Sequence, residues 1–217
     1  APTERITFLK FPGGKWRQAP RIASLLPLDW RARRYREPFL GGGSMFFYLR
    51  PQRAVLSDIN YELTAIYKAV RDDVEGTIDR LQLLKTTHGE GQFYTVRDMF
   101  NDSGHNGKFP DPSSWNDRAA WLIYLNRTCF NGLWRFNRTG EFNSPYGKYV
   151  DPKIVDPILL RKASAVLQKV ASPRCATFEH LVDEAEPGVV IYMDPPYLPS
   201  TIAKSSAFVG YSGDFGP

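Results

Sequence analysis

At 217 residues with a net charge of +5, the chain has room for one large domain, or one domain carrying a smaller insert. It is long enough to bury roughly 70% of the surface its unfolded form exposes. A composition of 42% hydrophobic and 24% charged residues excludes a disordered chain, and without an apolar run of about 18 residues a membrane-spanning helix is excluded. The first residues, through Lys15, hold no apolar stretch of signal-peptide length. Two cysteines, Cys129 and Cys175, and three scattered histidines make neither a disulfide framework nor a zinc site. The expectation is a cytoplasmic protein without a metal, and the positive charge admits an anionic partner.

In chain order, the first glycine turn is Lys10-Phe11-Pro12-Gly13-Gly14-Lys15. Its two lysines suit a carboxylate at Lys15 and a phosphate or base edge at Lys10; a surface hairpin is the plainer alternative. Tyr35–Phe39 reads as a short strand broken by Gly41-Gly42-Gly43-Ser44, and Met45 to Leu49 begins a helix. Ala54 to Ser57 is a second strand that stops at Asp58. Strand, glycine turn, helix and strand make a βαβ unit, hence a parallel sheet. The glycines let a ligand approach the backbone outside the carboxyl end of the strand. The pattern is not GxGxxG, which disfavours a dinucleotide oxidoreductase. Asp58, fifteen residues past Gly43, suits the two hydroxyls of a ribose, or simply caps a helix.

Leu63, Ile66, Tyr67, Val70, Val74, Ile78, Leu81 and Leu84 step by three and four, predicting one amphipathic helix over about 61–85. Residues 101–117 are turn-rich, and a short helix follows through Ala119 to Leu125. Between Arg127 and Tyr149 stand four basic residues, one acid and six aromatic rings, with Asn131, Asn137 and Asn143 among them. Basic groups neutralise phosphates, rings stack or wedge, and Arg and Asn read base edges. That pattern suits a hairpin entering a DNA groove and, taken alone, almost equally a basic, aromatic-rich loop that packs on the domain. Arg31, Arg33, Arg34 and Arg36 are candidates for further phosphate contacts, although an arginine run is more often a solvated face.

Ile158 to Val170 suits a helix packed on a sheet. Arg174 to Phe178 and Val189 to Met193 read as strands, the latter as apolar as a buried parallel strand requires. It ends in Asp194-Pro195-Pro196-Tyr197. Neither proline has an N–H to continue a ladder, and Pro196 holds Pro195 extended. The tetrapeptide is therefore a stiff corner that aims the Asp194 carboxylate, the Pro195 carbonyl and the Tyr197 ring in one direction. Two acceptors beside a flat ring match a planar heterocycle bearing an amine.

These blocks together, with Ser57-Asp58-Ile59-Asn60, Asn126–Arg135 and Gly140–Tyr149, resemble the DNA adenine methyltransferase family over nearly the whole chain. The resemblance implies an α/β, Rossmann-like methyltransferase sheet with helices on both faces, plus a mostly helical DNA-recognition insert carrying a β-hairpin. Residues 1–61 and 156–217 would form the catalytic domain, with sheet strands expected beyond its C-terminal end, and 62–155 the recognition domain. It implies methyl transfer from S-adenosylmethionine, leaving S-adenosylhomocysteine, to N6 of an adenine flipped out of double-stranded DNA, by a monomer of bacterial or phage origin. Asp194, Pro195, Pro196 and Tyr197 are implied as catalytic. Phe11, Gly13, Gly14, Lys15, Glu37, Pro38, Phe39, Gly41, Gly43, Ser44, Asp58, Ile59, Phe178 and Asp194 are implied for the cofactor. Lys10, Arg127, Phe130, Asn131, Leu133, Arg135, Asn137, Arg138, Pro145, Tyr146, Lys148 and Tyr149 are implied for DNA.

Three positions depart from the family: Phe11 for Trp or Tyr, Thr177 before Phe178 for an Asp, and Lys148 for an Arg, which weakens a bidentate guanine contact. Relatives that methylate cytosine amines or protein glutamine more often carry Ser or Asn in place of Asp194, which favours adenine. A DNA-binding module of this fold without turnover is the alternative from another class. A short palindrome such as GATC is the target the resemblance suggests.

Overall fold

The computed structural model describes residues 4–103 and 115–196. Tyr197 and the residues after it, the ends of the expected catalytic corner and catalytic domain, lie outside the described residues, as does much of the turn-rich stretch before Trp115.

Four parallel strands form the sheet: β1 (Tyr35–Glu37), β2 (Ala54–Asp58), β3 (Arg174–Cys175) and β4 (Val190–Ile191). Their order is β3-β2-β1-β4. Tyr35 stands level with Ala54 on one side and Val190 on the other, and Ser57 with Arg174. The fold is α/β, with an open parallel sheet of Rossmann-like architecture. Because the strand order reverses between β1 and β4, the carboxyl ends of those two strands flank a topological switch point, where open α/β sheets bind ligands.

The helices among the described residues are α1 (Ala19–Ser24), α2 (Ser44–Leu49), α3 (Tyr61–Asp72), α4 (Val74–Thr86), α5 (Glu90–Asp102), α6 (Trp115–Thr128), α7 (Pro157–Leu167) and α8 (Phe178–Asp183). The single helix expected over 61–85 is two. Asp73 leaves helical geometry at φ −143° and accepts the Gly76 N–H at 3.1 Å, ending α3 and capping α4. The apolar spacing continues across that break, so periodicity alone hides it. The α5 helix lay unread in the sequence, and α6 runs well beyond Ala119–Leu125 at both ends. Phe178 begins α8 instead of ending β3. The strand expected over Val189–Met193 is shorter, β4 covering only Val190–Ile191, and Met193 lies beyond its end, exposed.

One continuous core joins the sheet to the helices. Leu56 and Tyr35 meet Phe46, Phe47, Ile66, Tyr67 and Val70, and α6 adds Leu122, Tyr124 and Leu125, all nearly free of solvent. Burial of that much apolar surface, at about 25 cal/mol per Å², drives the packing. Helix α3 packs on β2, α6 and α7 alike, so it lies between the sheet and the helices that follow it. Among the described residues no helix is long and apolar enough to cross a membrane.

Candidate active site

A cleft of about 290 Å³ opens at the carboxyl ends of the strands. Four strand exits deliver its walls. After β1 come Pro38, Phe39, Leu40 and the glycine turn. At the end of β2 come Asp58, Ile59 and Asn60. After β3 come Ala176, Thr177, Phe178 and Glu179, and after β4 Tyr192, Asp194, Pro195 and Pro196. The N-terminal turn, Phe11 to Lys15, closes the remaining side.

The glycine turn is held from below. Asp58 accepts the Gly41 N–H and the Asn60 N–H, each at 2.9 Å, while the Tyr67 hydroxyl donates to the Gly41 carbonyl at 2.9 Å. Gly43 lies at φ +65°, and a Cβ there would come within 2.8 Å of the Tyr67 hydroxyl. At Gly42 the reason for glycine is Phe11, whose Cβ would lie 2.8 Å from an added methyl. The space beside Gly42 is thus taken by the stem of the Phe11 side chain, and its ring lies against Gly41. Phe11 also meets Trp134 with ring centroids 5.7 Å apart, and Phe39 stacks on Phe178 at 5.5 Å. Ser44 starts α2 with its hydroxyl beside Gly14, and exposed Ile59 follows Asp58 on the rim.

Four carboxyls line this cleft, Glu37, Asp58, Glu179 and Asp194, against one ammonium, that of Lys15. Lys15 Nζ lies 2.8 Å from an Asp194 oxygen and donates to the Gly13 carbonyl at 2.9 Å. It thereby ties the N-terminal turn to the proline corner. Glu37 is buried and accepts the Tyr35 hydroxyl at 2.7 Å. Burial pushes its pKa up to about 8, against the pull of the Tyr35 hydrogen bond, and the Asp194 and Asp58 charges push the same way as burial. Burial also raises the Asp58 carboxyl, opposed by the Gly41 and Asn60 N–H groups.

The basic, aromatic segment divides into exposed and structural residues. Its tip is a hairpin joined by the antiparallel bridges Phe136 to Phe142 and Cys129 to Tyr146. Phe130 is half exposed at the tip of a 3₁₀ turn, and Asn131 beside it takes the left-handed φ of 53°. Arg138, Pro145 and Lys148 are exposed, and Leu133 and Tyr149 half-buried. Tyr149 accepts the Asn131 N–H at 3.1 Å and underlies the Lys10 ammonium, 4.6 Å from its ring centroid.

Other members are committed elsewhere. The Asn137 side-chain oxygen accepts the Thr139 N–H, the Thr139 hydroxyl and the Glu141 N–H, and its NH₂ donates to Glu141. Though exposed, it spends its hydrogen bonds on building the turn, as Asn residues in turns do. Arg127 donates to the Phe8 carbonyl at 2.6 Å, and burial lowers its pKa. Arg135 spends two N–H groups on Asn143. Tyr146 packs on His88 and Phe93 of the helical layer. Trp134 and Phe142 are buried, and Trp134 and Phe136 line the cleft.

The arginine run is likewise occupied. Arg36 is buried and donates to the Leu181 and Glu184 carbonyls, Arg33 pairs with Asp29, Arg34 with Glu186, and Arg31 lies over Trp30. The site residues assigned from the sequence omit Pro12, Leu40, Gly42, Met45, Asn60, Trp134, Phe136, Ala176, Thr177, Glu179 and Tyr192, which also line the cleft. Gly42 carried a local signal as part of the glycine turn, and Asn60 as the residue that caps α3 just after the strand end.

Comparison with known proteins gives the same direction. The model of the D12 class N6 adenine-specific DNA methyltransferase family matches residues 11–215. The chain is 38% identical over 209 residues to the type II methyltransferase M1.LlaDCHI of Lactococcus lactis subsp. cremoris, covering 94% of this chain and 69% of that one. It is 36% identical to the type II methyltransferase M.MjaIII of Methanocaldococcus jannaschii, covering 94% and 73%. It is 33% identical to the DNA adenine methylase of Serratia marcescens, covering 94% and 70%. A match running almost end to end, over a sheet whose strand exits meet in one cleft, places the chain in the D12 class of N6 adenine-specific DNA methyltransferases.

Proposed function

We propose that the cleft binds S-adenosylmethionine and that the Asp194 corner receives the amine of an adenine everted from double-stranded DNA. The observation that carries this reading is the convergence of the glycine turn, Asp58 and Asp194 on one cleft at the switch point. The donor set fits the cofactor. Asp58 keeps lone pairs for ribose hydroxyls beyond the two N–H bonds it accepts. Ile59, Phe39 and Phe178 offer apolar faces to an adenine, and exposed Glu179, on the same wall, offers an acceptor beside Thr177. Asp58, Glu179 and Asp194, set against Lys15, favour a cation. Bound there, S-adenosylmethionine supplies a methyl group made electrophilic by a positively charged sulfur.

The chain's own residues then position the nucleophile. An adenine amine is weak because its lone pair is delocalised into the ring. Hydrogen bonds from that amine to the Asp194 carboxylate and the Pro195 carbonyl favour a pyramidal nitrogen. Lys15 fixes one Asp194 oxygen, leaving the other for the amine. The proton lost after transfer leaves by Asp194 or water. Catalysis by this arrangement is orientation and electrostatics. Extruding the base costs a few kcal/mol; exposed Phe130, beside Asn131 and Leu133, is placed to fill the gap left in the stack. Arg138 and Lys148 are the cations with room for phosphate or base edges, and Arg135 presents what remains of its fork.

The test is incubation with unmethylated duplex DNA and methyl-labelled cofactor, followed by mapping of modified bases. N6-methyladenine is expected, and methylcytosine alone would overturn the adenine assignment. Asp194→Ala is expected to lose turnover by at least about 100-fold while still binding cofactor by calorimetry, since it removes a group that acts mainly in the transition state. DNA binding with no cofactor binding in the unmodified protein would instead indicate a module without turnover.

A further inference from the structure

Asn126 is completely buried at the last turn of α6 and clamps the backbone of one residue 116 positions earlier. Its side-chain oxygen accepts the Lys10 N–H at 2.9 Å, and its NH₂ donates to the Lys10 carbonyl at 2.7 Å. The amide thus imitates one rung of a β-ladder, satisfying both backbone groups of Lys10. The amide flip follows from that pairing, because only this orientation sets donor to acceptor at both ends. Two neighbouring bonds lock the same stretch: Arg127 donates to the Phe8 carbonyl, and Lys10 Nζ donates to the Arg127 carbonyl at 3.2 Å.

What the clamp holds faces two ways. On one side the Lys10 stem rests against Gly132, where a Cβ would come within 2.6 Å of its Cδ, and its ammonium lies over Tyr149. Both contacts belong to the DNA-facing segment. On the other side, one peptide further, Phe11 sits over Gly41 and Gly42 at the cofactor cleft. A shift of the Lys10–Phe11 peptide therefore moves both walls together.

We propose that Asn126 is a positioning residue that couples the cofactor cleft to the DNA-facing segment through the Lys10 backbone. The inference rests on the reading of the cleft and hairpin given above. Asn126 touches neither ligand; it makes the seating of Phe11 and the seating of Lys10 one event. Coupling of this kind is reciprocal, so cofactor strengthens DNA binding by the factor with which DNA strengthens cofactor binding.

The experiment measures affinity for a short duplex bearing the sequence that the wild-type protein methylates, with and without saturating S-adenosylhomocysteine. The wild type is expected to bind the duplex about fivefold or more tightly with S-adenosylhomocysteine present, the lower end of ordinary coupling. In Asn126→Ala that ratio is expected to fall below about twofold. Methyl transfer by the variant is expected to show a raised KM for DNA and loss of the cofactor's effect on it. A merely structural role lowers the melting temperature and leaves the ratio alone. Should Asn126→Ala not fold, Asn126→Asp keeps the shape and the acceptor but loses the donor to the Lys10 carbonyl, and is expected to reduce the ratio too. A wild-type ratio of one, or a wild-type ratio retained by a folded variant, overturns the proposal. Methylation of the duplex by the wild type is measured alongside: its absence overturns the functional reading, whereas methylation with coupling unaltered by the variants overturns this inference alone.

Discussion

Glu37 shows how one buried residue makes the protein sensitive to pH. Its carboxyl has an ordinary pKa of 4.5 and is raised by burial to about 8 in the fold. Between those values the folded state holds a proton that the unfolded chain releases. Stability from this group is therefore full below about pH 4.5 and is lost as pH rises through about 8. Glu37→Gln keeps a neutral group of the same shape for the Tyr35 hydroxyl. Melting temperatures measured from pH 5 to 8 are expected to decline less in this variant than in the wild type; an equally steep decline would assign the proton to another group. Asp58, raised in the same direction, contributes with the same sign.

At the scale of elements, the β1–α2 connection is the most constrained. Gly43 at φ +65° ends the turn and precedes Ser44, the first residue of α2, and Tyr67 from α3 reaches over to the Gly41 carbonyl. A methyl at Gly43 adopts a left-handed conformation at about 1–2 kcal/mol, and it displaces the Tyr67 hydroxyl as well. Gly43→Ala is thus expected to lose about 2 kcal/mol or more in urea unfolding, by backbone strain and the loss of a buried hydrogen bond. Cofactor affinity is expected to fall with it, because Asp58 is bonded to the same turn. A variant as stable as wild type would mean that the turn relaxes at no cost.

For the whole molecule, Arg118 ties the helices of the helical layer to one another. This residue of α6 is 2% exposed, donates to the Phe100 carbonyl of α5 at 2.8 Å, pairs with Glu62 of α3 and lies over the Phe100 ring. It joins three helices through one planar fork. Arg118→Met fills the volume but leaves Glu62 without its partner and, among the described residues, the Phe100 carbonyl with the Ser103 hydroxyl alone. The expected loss is on the order of 3 kcal/mol, the lower end for breaking a buried pair, because Glu62 retains access to water. Thermal unfolding and hydrogen exchange in α3 and α5 report it, and an unchanged exchange pattern would show that the helices are joined by apolar packing alone.

The sequence by itself located the four strands, though not the ends of β3 and β4: β2 and β4 lie in apolar runs, and turn-forming residues close three of the four, Gly41 after β1, Asp58 at the end of β2 and Pro195 after β4. Parallel pairing follows from the βαβ order, and the family follows from motifs strung along nearly the whole chain. Tertiary structure decided what period and composition leave open. The break at Asp73 is a cap whose value depends on three-dimensional geometry. The aromatic segment reads uniformly in composition, yet packing sends Trp134 and Phe142 inward and Phe130 outward. Arg36 and Asn137 carry groups common on DNA-binding surfaces, but neighbours distant in sequence or across a turn claim them first. Asn126 has no periodic or compositional signature. Its meaning lies wholly in the Lys10 backbone that folding brings beside it, since hydrogen bonding is local in space and indifferent to distance along the chain.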